Sequence, residues 1–275
     1  IGRRLAREVD GEVLFDAGSR MRYSTDASIY QIEPVGIVVP RSEEAARIAL
    51  QIGVEEGIPL LPRGAGSSQC GQTVGAALVI DHSKYLSKLI SVDKQAMTAE
   101  VQPGIVLDHL NALLRPQGLC FPVDVSTSAQ ATIGGMTGNN SCGSRSIFYG
   151  NMVHNVLAID AMLADGSRER FGPMRAGDAP SAVMAKVRDI VRREADEIRA
   201  RWPTVLRHVQ GYNLDLLNTD GDWNAVHLLV GSEGTLAYSE RIHLKLSPLP
   251  KHRALGVVHF DDFYKAMEAP QHIVK

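Results

Sequence analysis

The sequence predicts a fold of mixed α-helices and β-strands, because one stretch has a strand–helix–strand pattern and two later stretches form antiparallel pairs. Residues 36–40 and 58–61 are short apolar runs on either side of a helix that begins after Ser42 and ends at Gly57. Ser42 is a favoured N-cap residue, and two glutamates follow it in the first turn, where the helix dipole favours acids. Together the three segments predict a right-handed crossover between parallel strands.

Two further parts of the chain predict antiparallel strand pairs. Residues 89–92 and 98–101 are joined by the turn-prone sequence DKQA, and residues 156–164 and 168–171 are joined by Asp165-Gly166, a strong hairpin signal. The other predicted elements are a helix at 3–8, a polar surface segment at 20–34, strands at 76–81, 226–230 and 237–246, helices at 106–114 and 181–200, a loop and helix at 209–217, and a strand–helix unit at 251–269. Both long helices have an apolar face that we expect to be buried, including Leu113 and Ile190, whereas the charged face of the second is expected to meet solvent.

The composition limits the classes of function that the chain can have. Its 275 residues are 44% hydrophobic, which is enough for a large core in one domain or in two lobes. A net charge of −2 and an aromatic content of 5% argue against nucleic-acid binding, and no run of apolar residues is long enough to predict a membrane span. Cys70, Cys120 and Cys142 form no CxxC pair, which argues against an internal zinc or iron–sulfur site and indicates a reducing compartment, the cytoplasm.

The stretch from residue 121 to residue 156 carries the strongest functional signal. Its glycines stand among Ser, Thr and Asn, and no Lys or Arg precedes Arg145. Glycine lets a backbone approach a ligand closely, and free N–H groups bind an anion or the polar edge of a ring without a formal charge. A long surface loop is the alternative interpretation, although the apolar residues threaded through the stretch argue against disorder.

A second glycine-rich segment, PRGAGSSQCG at residues 62–71, follows the second strand of the crossover unit. A turn at the carboxyl end of a parallel strand is a usual place for a phosphate. No Gly-Lys-Ser/Thr follows, so this is not a Walker A loop, and Gln69 stands where a dinucleotide fingerprint needs its third glycine. The segment can hold a pyrophosphate, but a plain turn between strand and loop is the alternative.

Three motifs in order carry a resemblance to a known family. PRGAGSS, ATIGGMTGNNSCGSRSIFYG and VGSEGTLAYSE resemble the FAD-binding domain of the vanillyl-alcohol-oxidase / p-cresol-methylhydroxylase class of flavoproteins. Within that class the chain is most similar to the FAD-linked D-2-hydroxyacid dehydrogenases. YSTDASIYQIEP and GYNLD resemble the long bacterial members that carry a C-terminal iron–sulfur domain. The resemblance covers residues 20–250.

The resemblance implies an α+β fold, the two-lobed FAD-binding domain of the p-cresol-methylhydroxylase type. The smaller lobe is expected at residues 1–88, the larger lobe at residues 89–250, and the beginning of a cap domain for the substrate at residues 251–275. FAD is expected to lie extended between the lobes. Because the first residue is Ile1 and the cap is incomplete, we expect both ends of the sequence to be cuts within a longer chain.

The resemblance also implies which residues contact FAD. The loop Arg63, Gly64, Ala65, Gly66, Ser67 and Ser68 is expected to hold the pyrophosphate through backbone N–H groups. Pro122, Ser126, Thr127, Ser128, Thr132, Ile133, Gly134, Gly135, Met136, Asn139 and Asn140 are expected along the flavin. Cys142, Gly143, Tyr149, Gly150 and Val156 are expected to complete the pocket, with Glu233 and Gly234 near the ribityl or adenosine part.

Three of these positions carry specific expectations. Ser67 occupies the position at which many members of the class attach FAD covalently through a histidine, so FAD is expected to bind non-covalently. Cys142 is expected to be a small buried residue, with a flavin-linked thiol as the alternative. At Gly135, a valine is expected to block the flavin by filling its space and by resisting a positive φ angle.

The reaction implied by the resemblance is oxidation of a small D-2-hydroxy acid of the lactate, glycolate or 2-hydroxyglutarate type, by hydride transfer to flavin N5. In this family the base, the carboxylate-binding arginine and any metal ligands come mainly from the cap and the segment after it. We therefore nominate no catalytic residue and no metal ligand in this chain, and expect the electron acceptor or an iron–sulfur domain in a further C-terminal part. The alternatives are a non-catalytic nucleotide-binding module, a sugar-lactone oxidase and a cell-wall-precursor reductase.

Overall fold

A computed structural model describes residues 1–175, 177–205, 207–219, 221–252 and 254–273 of the chain. The strands are β1 (Gly11–Leu14), β2 (Gly36–Pro40), β3 (Leu60–Arg63), β4 (Leu78–Asp81), β5 (Leu89–Asp93), β6 (Thr98–Val101), β7 (Leu119–Cys120), β8 (Val156–Met162), β9 (Arg168–Phe171), β10 (Pro173–Met174), β11 (Trp223–Asn224), β12 (Tyr238–Lys245) and β13 (Ser247–Pro248). The helices are α1 (Gly2–Glu8), α2 (Ala17–Tyr23), α3 (Glu43–Glu55), α4 (Leu107–Leu114), α5 (Ile133–Gly138), α6 (Ser146–Tyr149), α7 (Met152–Asn155), α8 (Ala182–Arg193), α9 (Ala195–Arg201), α10 (Leu214–Leu217), α11 (Val226–Leu229), α12 (Phe263–Glu268) and α13 (Pro270–Ile273). Among the described residues, no helix combines the length and the apolar character needed to cross a bilayer.

The first part of the chain forms a four-stranded sheet in the order β1-β2-β4-β3. Strands β2, β4 and β3 are parallel, and β1 pairs antiparallel with β2. The predicted strand–helix–strand unit is present, with β4 inserted between its two strands. Helix α3 begins where expected, because the Ser42 hydroxyl accepts a hydrogen bond from the Ala45 N–H at 3.1 Å, and Gly57 follows the helix with φ +65°.

The second sheet has five antiparallel strands in the order β5-β6-β12-β8-β9. The two predicted antiparallel pairs, β5 with β6 and β8 with β9, are confirmed. Strand β12 lies at the centre and pairs with both β6 and β8, so it joins the two pairs into one sheet. Every second residue of β12 from Tyr238 to Leu244 is buried, which is the alternation of a strand with one face on a core.

Two hydrophobic clusters form most of the core. The larger cluster packs against the five-stranded sheet and includes Phe121, Ile159 and Ile242. The smaller one surrounds helix α3 and the four-stranded sheet, and it also contains Met162 and Tyr238 from the five-stranded sheet. The two sheets are therefore joined by apolar packing as well as by the chain.

Some predicted elements are wrong. Residues 226–229 form helix α11 and not a strand, and the Asn224 side chain accepts a hydrogen bond from the Val226 N–H at 3.0 Å in an Asx turn just before the helix. A short apolar run does not distinguish a buried strand from a buried helical turn. The strand predicted after residue 250 is also absent from the described part of residues 251–262, although helix α12 follows it. Arg253 of that predicted unit lies outside the described residues, as do residues 274–275 of the expected cap domain.

The predicted helix at 181–200 consists of two helices, α8 and α9, which meet at Glu194. Ile190 and Leu113 were expected to be buried but are 50% and 41% exposed. Arg188, on the face expected to meet solvent, is buried, and its guanidinium donates to the carbonyl groups of Leu217 and Thr219. Periodicity alone does not show that a cation is needed to bind the carbonyl groups of a nearby loop.

The segment before β2 has more regular structure than its polar composition indicated. Strand β1 adds an antiparallel edge to the first sheet, and helix α2 precedes the irregular segment that follows residue 23. Asp16 caps α2 by accepting a hydrogen bond from the Ser19 N–H at 2.9 Å. Asp16, three residues before the donor Ser19, is an N-cap signal in the sequence. The helix was not predicted because α2 contains few apolar residues and so shows no clear helical periodicity.

Ion pairs connect helix α3 to the five-stranded sheet. Glu240 on β12 is 3% exposed, and its carboxylate accepts from Arg47 of α3 at 2.5 Å and from Arg168 of β9 at 3.0 Å. Glu43, at the start of α3, accepts from Arg241 of β12 at 3.1 Å. Burial tends to raise the pKa of Glu43, but hydrogen bonds from Arg241 and Gln102 outweigh it and hold the pKa below its usual value. The two sheets are thus held together by charged groups on both sides.

The first prediction concerns Glu240. Glu240→Gln should lower the free energy of unfolding by about 1.5–3 kcal/mol, because two arginines would lose their charged acceptor in a buried position. Denaturant titration with linear extrapolation measures this change. Glu197→Gln is the matched control, because Glu197 forms an exposed pair with Arg201 on α9 and its loss should cost less than about 1 kcal/mol. Equal losses in both variants would contradict a special role for Glu240.

Candidate functional site

A cleft runs between the two glycine-rich segments and the turn that precedes β12. It contains about 1170 Å³ of empty space, part of which is open to solvent. Its walls are formed by residues Leu61, Pro62, Gly64, Ala65, Gly66, Ser67, Ser68, Gln72, Thr73, His82, Pro103, Val125, Thr127, Ala131, Thr132, Gly134, Gly135, Met136, Thr137, Gly138, Asn139, Ser141, Leu229, Ser232, Glu233, Gly234, Ala237 and Ser239. The cleft is therefore built by loops from both sheets.

The loop after β3 presents a row of unused backbone donors. Within the described residues, none of the five N–H groups from Gly64 to Ser68 donates a hydrogen bond to another part of the protein. Such a run of N–H groups at the carboxyl end of a parallel strand binds anions. Its one cation, Arg63, is engaged elsewhere, because its guanidinium donates to the carbonyl groups of Tyr23, Thr25 and Thr73 at 2.7–3.0 Å. Burial lowers the pKa of Arg63, and the nearby carboxylates oppose that shift.

The second glycine-rich segment begins with helix α5, which packs directly against the first loop. The Thr132 hydroxyl caps α5 by accepting from the Gly135 N–H at 3.2 Å. The same hydroxyl lies against Gly64 so closely that any Cβ at that position would overlap it. Gly134 is equally crowded, because a Cβ there would lie 2.7 Å from the Pro103 side chain. Gly64 thus allows the two segments to touch, and Gly134 allows α5 to pack against Pro103.

Gly135 has a different environment. A Cβ at Gly135 would meet only the Thr132 hydroxyl, at 3.2 Å, and the position lines the cleft. Gly135 has a helical backbone within α5, so the expected positive φ is wrong. A side chain at this position would enter the space of the cleft without straining the backbone.

A tight turn forms the rim of the cleft on the side of β12. Gly231, Glu233 and Gly234 all have positive φ angles, and the Glu233 N–H donates to the carbonyl of Gly138 at 2.9 Å. This bond attaches the turn to the end of α5. The Glu233 carboxylate accepts from Gln72 at 3.4 Å, and desolvation raises its pKa while the Gln72 bond opposes the shift. Gln72 and Glu233 thus connect the rim to the first loop.

The structure brings many of the predicted site residues together at the cleft and leaves others outside it. Those that line it are Gly64, Ala65, Gly66, Ser67, Ser68, Thr127, Thr132, Gly134, Gly135, Met136, Asn139, Glu233 and Gly234. Those that do not line it are Arg63, Pro122, Ser126, Ser128, Ile133, Asn140, Cys142, Gly143, Tyr149, Gly150 and Val156. The residues of the second group lie next to the cleft in the chain, and several of them support it.

Asn140 is the clearest supporting residue. It is completely buried, has φ +50°, and accepts a hydrogen bond from the Val153 N–H at 3.0 Å. Gly143 is packed on Asp124, and Gly150, with φ +78°, is packed on the ring of His154, so neither has room for a Cβ. These contacts fix the chain immediately behind α5.

Cys142 and Tyr149 are placed differently from the expectation. Cys142 was expected to be a small buried residue but is only half-buried, and it does not line the cleft. Tyr149 lines a separate shallow depression together with Arg145, Pro250 and Ala254.

The walls of the cleft carry almost no charged side chains. Among the described residues that line it, the only ones with an acidic or basic side chain are His82 and Glu233, and none is Lys or Arg. The arrangement can bind an anion through backbone dipoles, but it offers no cation for a carboxylate substrate. His82 was not predicted as a site residue. Its position directly after β4, at the same edge of the sheet as the loop after β3, could have indicated a place in the site.

A possible metal cluster lies elsewhere, on the five-stranded sheet. Ligand atoms of Glu100, Asp160 and His243 lie within 4.8 Å of one another. Arg241 donates to Glu100 and Arg170 donates to Asp160, both at 2.8 Å. Because arginines already neutralise both carboxylates, this cluster is best described as an ion-pair network.

Comparison with known proteins relates this chain to FAD-binding proteins. A family model described as an FAD binding domain matches residues 34–172. The D-2-hydroxyglutarate dehydrogenase of Pseudomonas putida is 32% identical over 270 residues, which cover 94% of this chain and 27% of that protein. The glycolate oxidase subunit GlcD of Bacillus subtilis is 28% identical over 274 residues, covering 97% of this chain and 49% of that protein. The chain thus spans about a quarter of the length of the first relative and about half of the second.

Solved structures show the same fold. Two structures of alkyldihydroxyacetonephosphate synthase superpose with TM-scores of 0.66 and 0.67 at 20% and 21% sequence identity, over 91% of this chain and 40% and 44% of theirs. This similarity, together with the family match, confirms the predicted α+β fold of the FAD-binding domain.

The second prediction concerns Gly135. Gly135→Val should abolish detectable FAD binding while the protein still folds, because the valine side chain would enter the cleft without backbone strain. Flavin fluorescence titration measures binding, and circular dichroism measures folding. Gly221→Val is the matched control, because no atom lies within 4 Å of a Cβ built there and the position is outside the cleft. Binding of FAD to Gly135→Val with wild-type affinity would show that the flavin does not pass α5.

Proposed function

We propose, from the premise that the chain belongs to the family of FAD-binding domains, that it positions FAD for the oxidation of a small D-2-hydroxy acid. The observation that carries the proposal is the row of five unused N–H groups from Gly64 to Ser68, in a loop that lines a glycine-rich cleft together with helix α5. A dinucleotide requires both features, donors for its diphosphate and close backbone approach for its rings.

The residues present fit FAD. The diphosphate carries negative charge, and the loop offers donors that nothing else in the described protein uses. Gly135 and Gly138 leave open space on the side of α5, where an added Cβ would meet little or nothing. We propose that Gly64–Ser68 hold the diphosphate, that Thr132–Asn139 run along the flavin, and that Glu233 and Gly234 contact the ribityl or adenosine part.

We also propose the division into lobes at residues 1–88 and 89–250, with a cap domain beginning at residue 251. Two observations support it: the four-stranded sheet uses residues 11–81, and the five-stranded sheet uses residues 89–245. The cleft receives loops from both sheets, which is the arrangement expected of a cofactor held between two lobes.

When bound, FAD would supply the acceptor for a hydride from the substrate carbon that bears the hydroxyl group. The described residues would bind and orient the cofactor and exclude water from its rings. They offer no arginine or lysine in the cleft for a substrate carboxylate. We therefore propose that the substrate-binding cation, the base and any electron acceptor or iron–sulfur domain belong to protein segments outside the described residues.

The names of the relatives support the substrate class. D-2-hydroxyglutarate, D-lactate and glycolate are small 2-hydroxy acids, and enzymes named for each match 94–98% of this chain. We propose a substrate of this class, with the specific acid selected by residues outside the cleft. Three free cysteines without a disulfide support a cytoplasmic location as part of the same proposal.

The third prediction is that FAD is held non-covalently. Ser67 lines the cleft where a histidine would be needed for attachment, and the Cys142 thiol does not line it. After denaturation in acid and filtration, the yellow colour should therefore pass into the filtrate. Flavin that stays on the polypeptide would contradict the prediction, and peptide mapping would then test Cys142 first.

The fourth prediction concerns electron transfer in the isolated chain. With FAD bound, dithionite should reduce the flavin, but D-lactate, glycolate and D-2-hydroxyglutarate should not. The cleft does not provide a general base together with a cation for the substrate carboxylate, so it cannot orient the substrate for reaction. Anaerobic stopped-flow absorbance measures both reactions. Bleaching by one of these acids at roughly 1 s⁻¹ or faster would place the catalytic groups within residues 1–275.

A chimera tests the proposed activity itself. The matched 270 residues of the Pseudomonas putida D-2-hydroxyglutarate dehydrogenase would be exchanged for this chain, and flavin content and reduction by dithionite would verify assembly. The proposal expects reduction of the bound flavin by D-2-hydroxyglutarate and not by its L-enantiomer. An assembled chimera that contains stoichiometric FAD but accepts no D-2-hydroxy acid would instead favour a nucleotide-binding module without this catalysis.

A further inference from the structure

His82 is a buried polar residue of the cleft that the assignments above leave without a role. It lines the cleft directly after strand β4, and only 6% of its surface is exposed. Within the described residues neither ring nitrogen makes a hydrogen bond, and Nε2 is fully buried. Native proteins pair nearly all such groups. Nε2 has no accessible surface from which a ligand could reach it, so Nδ1 is the ring nitrogen that is open to a partner arriving in the cleft.

The position of the His82 ring is fixed without the use of its nitrogens. The His82 N–H donates to the carbonyl of Arg63 at 3.2 Å, and the His82 carbonyl accepts from Leu86 at 3.2 Å. Its ring lies against that of Tyr238, with the ring centroids 5.4 Å apart. Gly104 has no room for a Cβ beside the His82 carbonyl, so the backbone is enclosed on that side too. The imidazole is thus held ready for a ligand.

The charge state of the His82 ring limits which groups of a ligand it can bind. Burial lowers the pKa of His82 to about 4, and the nearby Asp81 carboxylate opposes the shift only in part. At neutral pH the ring is therefore uncharged, with one nitrogen that donates and one that accepts. A neutral imidazole is not the counter-ion of a diphosphate. It suits an uncharged hydroxyl, carbonyl or ring nitrogen instead.

We propose that His82 is a cofactor-binding residue whose imidazole hydrogen-bonds an uncharged polar group of FAD. The inference rests on the proposed binding of FAD in this cleft. In the protein without cofactor Nδ1 has no partner among the described residues, and FAD would supply one, whereas the fully buried Nε2 stays unpaired in both states. His82 therefore favours the loaded protein over the empty one.

Substitution by leucine separates this role from a structural one, because the two roles predict opposite effects on the empty protein. His82→Leu should weaken FAD binding roughly 3- to 30-fold, the loss of one hydrogen bond. The same change should leave the melting temperature of the apoprotein unchanged or raise it, because an apolar side chain of similar size replaces an unpaired polar one. Flavin fluorescence titration and thermal unfolding of the apoprotein measure the two effects.

Two further variants complete the experiment. His82→Gln keeps a donor and an acceptor, so its affinity for FAD should lie between those of wild type and His82→Leu, and it remains informative if the leucine variant does not fold. His109→Leu, at an exposed histidine outside the cleft, should bind FAD as the wild type does.

Two results would overturn the inference. The first is unchanged FAD affinity in His82→Leu, and the second is a lower melting temperature of its apoprotein, which would assign His82 to the core. If the wild-type chain binds no FAD, the proposed function fails as well, and the two failures are distinguished by that first titration.

Discussion

The close contact between Gly64 and Thr132 is the constraint on which the cleft depends. The first loop and helix α5 come from different parts of the chain, and they touch at a point where any Cβ would overlap the threonine hydroxyl. That hydroxyl also caps α5, so one atom fixes both the start of the helix and its distance from the loop. Because Thr132 and Gly135 both belong to the α5 segment, the cap holds the hydroxyl in place, and the missing Cβ at Gly64 lets the loop lie directly against it.

Contacts between the two sheets support that arrangement over a longer range. Arg47 reaches from α3 to the buried Glu240 at the centre of the second sheet, and Arg241 reaches back from that sheet to Glu43. A buried carboxylate with two arginines is tolerated only where its geometry is well satisfied, so these pairs select one relative position of the sheets. Met162 and Tyr238 add apolar packing between them. Because the cleft receives loops from both sheets, these contacts between the sheets help to set its width.

Much of the fold was predictable from local patterns, and the misses have physical causes. Strand β2, the cap at Ser42 and the two antiparallel pairs were confirmed because their signals depend on residues adjacent in the chain. Residues 226–229 were misassigned because a buried helical turn and a buried strand have the same apolar composition. The glycine-rich loops were recognised from the sequence. Asn140 was expected along the flavin but does not line the cleft, because its burial depends on contacts with residues distant in sequence.

The uncharged walls of the cleft have a consequence for how the protein meets its cellular environment. Proteins that hold phosphates with lysine or arginine lose affinity as salt screens those charges, since the Debye length is about 8 Å at physiological ionic strength. Here the donors are backbone dipoles, and Arg63 is occupied by carbonyl groups within the protein. Dipoles of the chain are neither titrated nor easily screened. In the proposed mode of binding, retention of FAD therefore depends less on ionic strength than on the backbone keeping its shape.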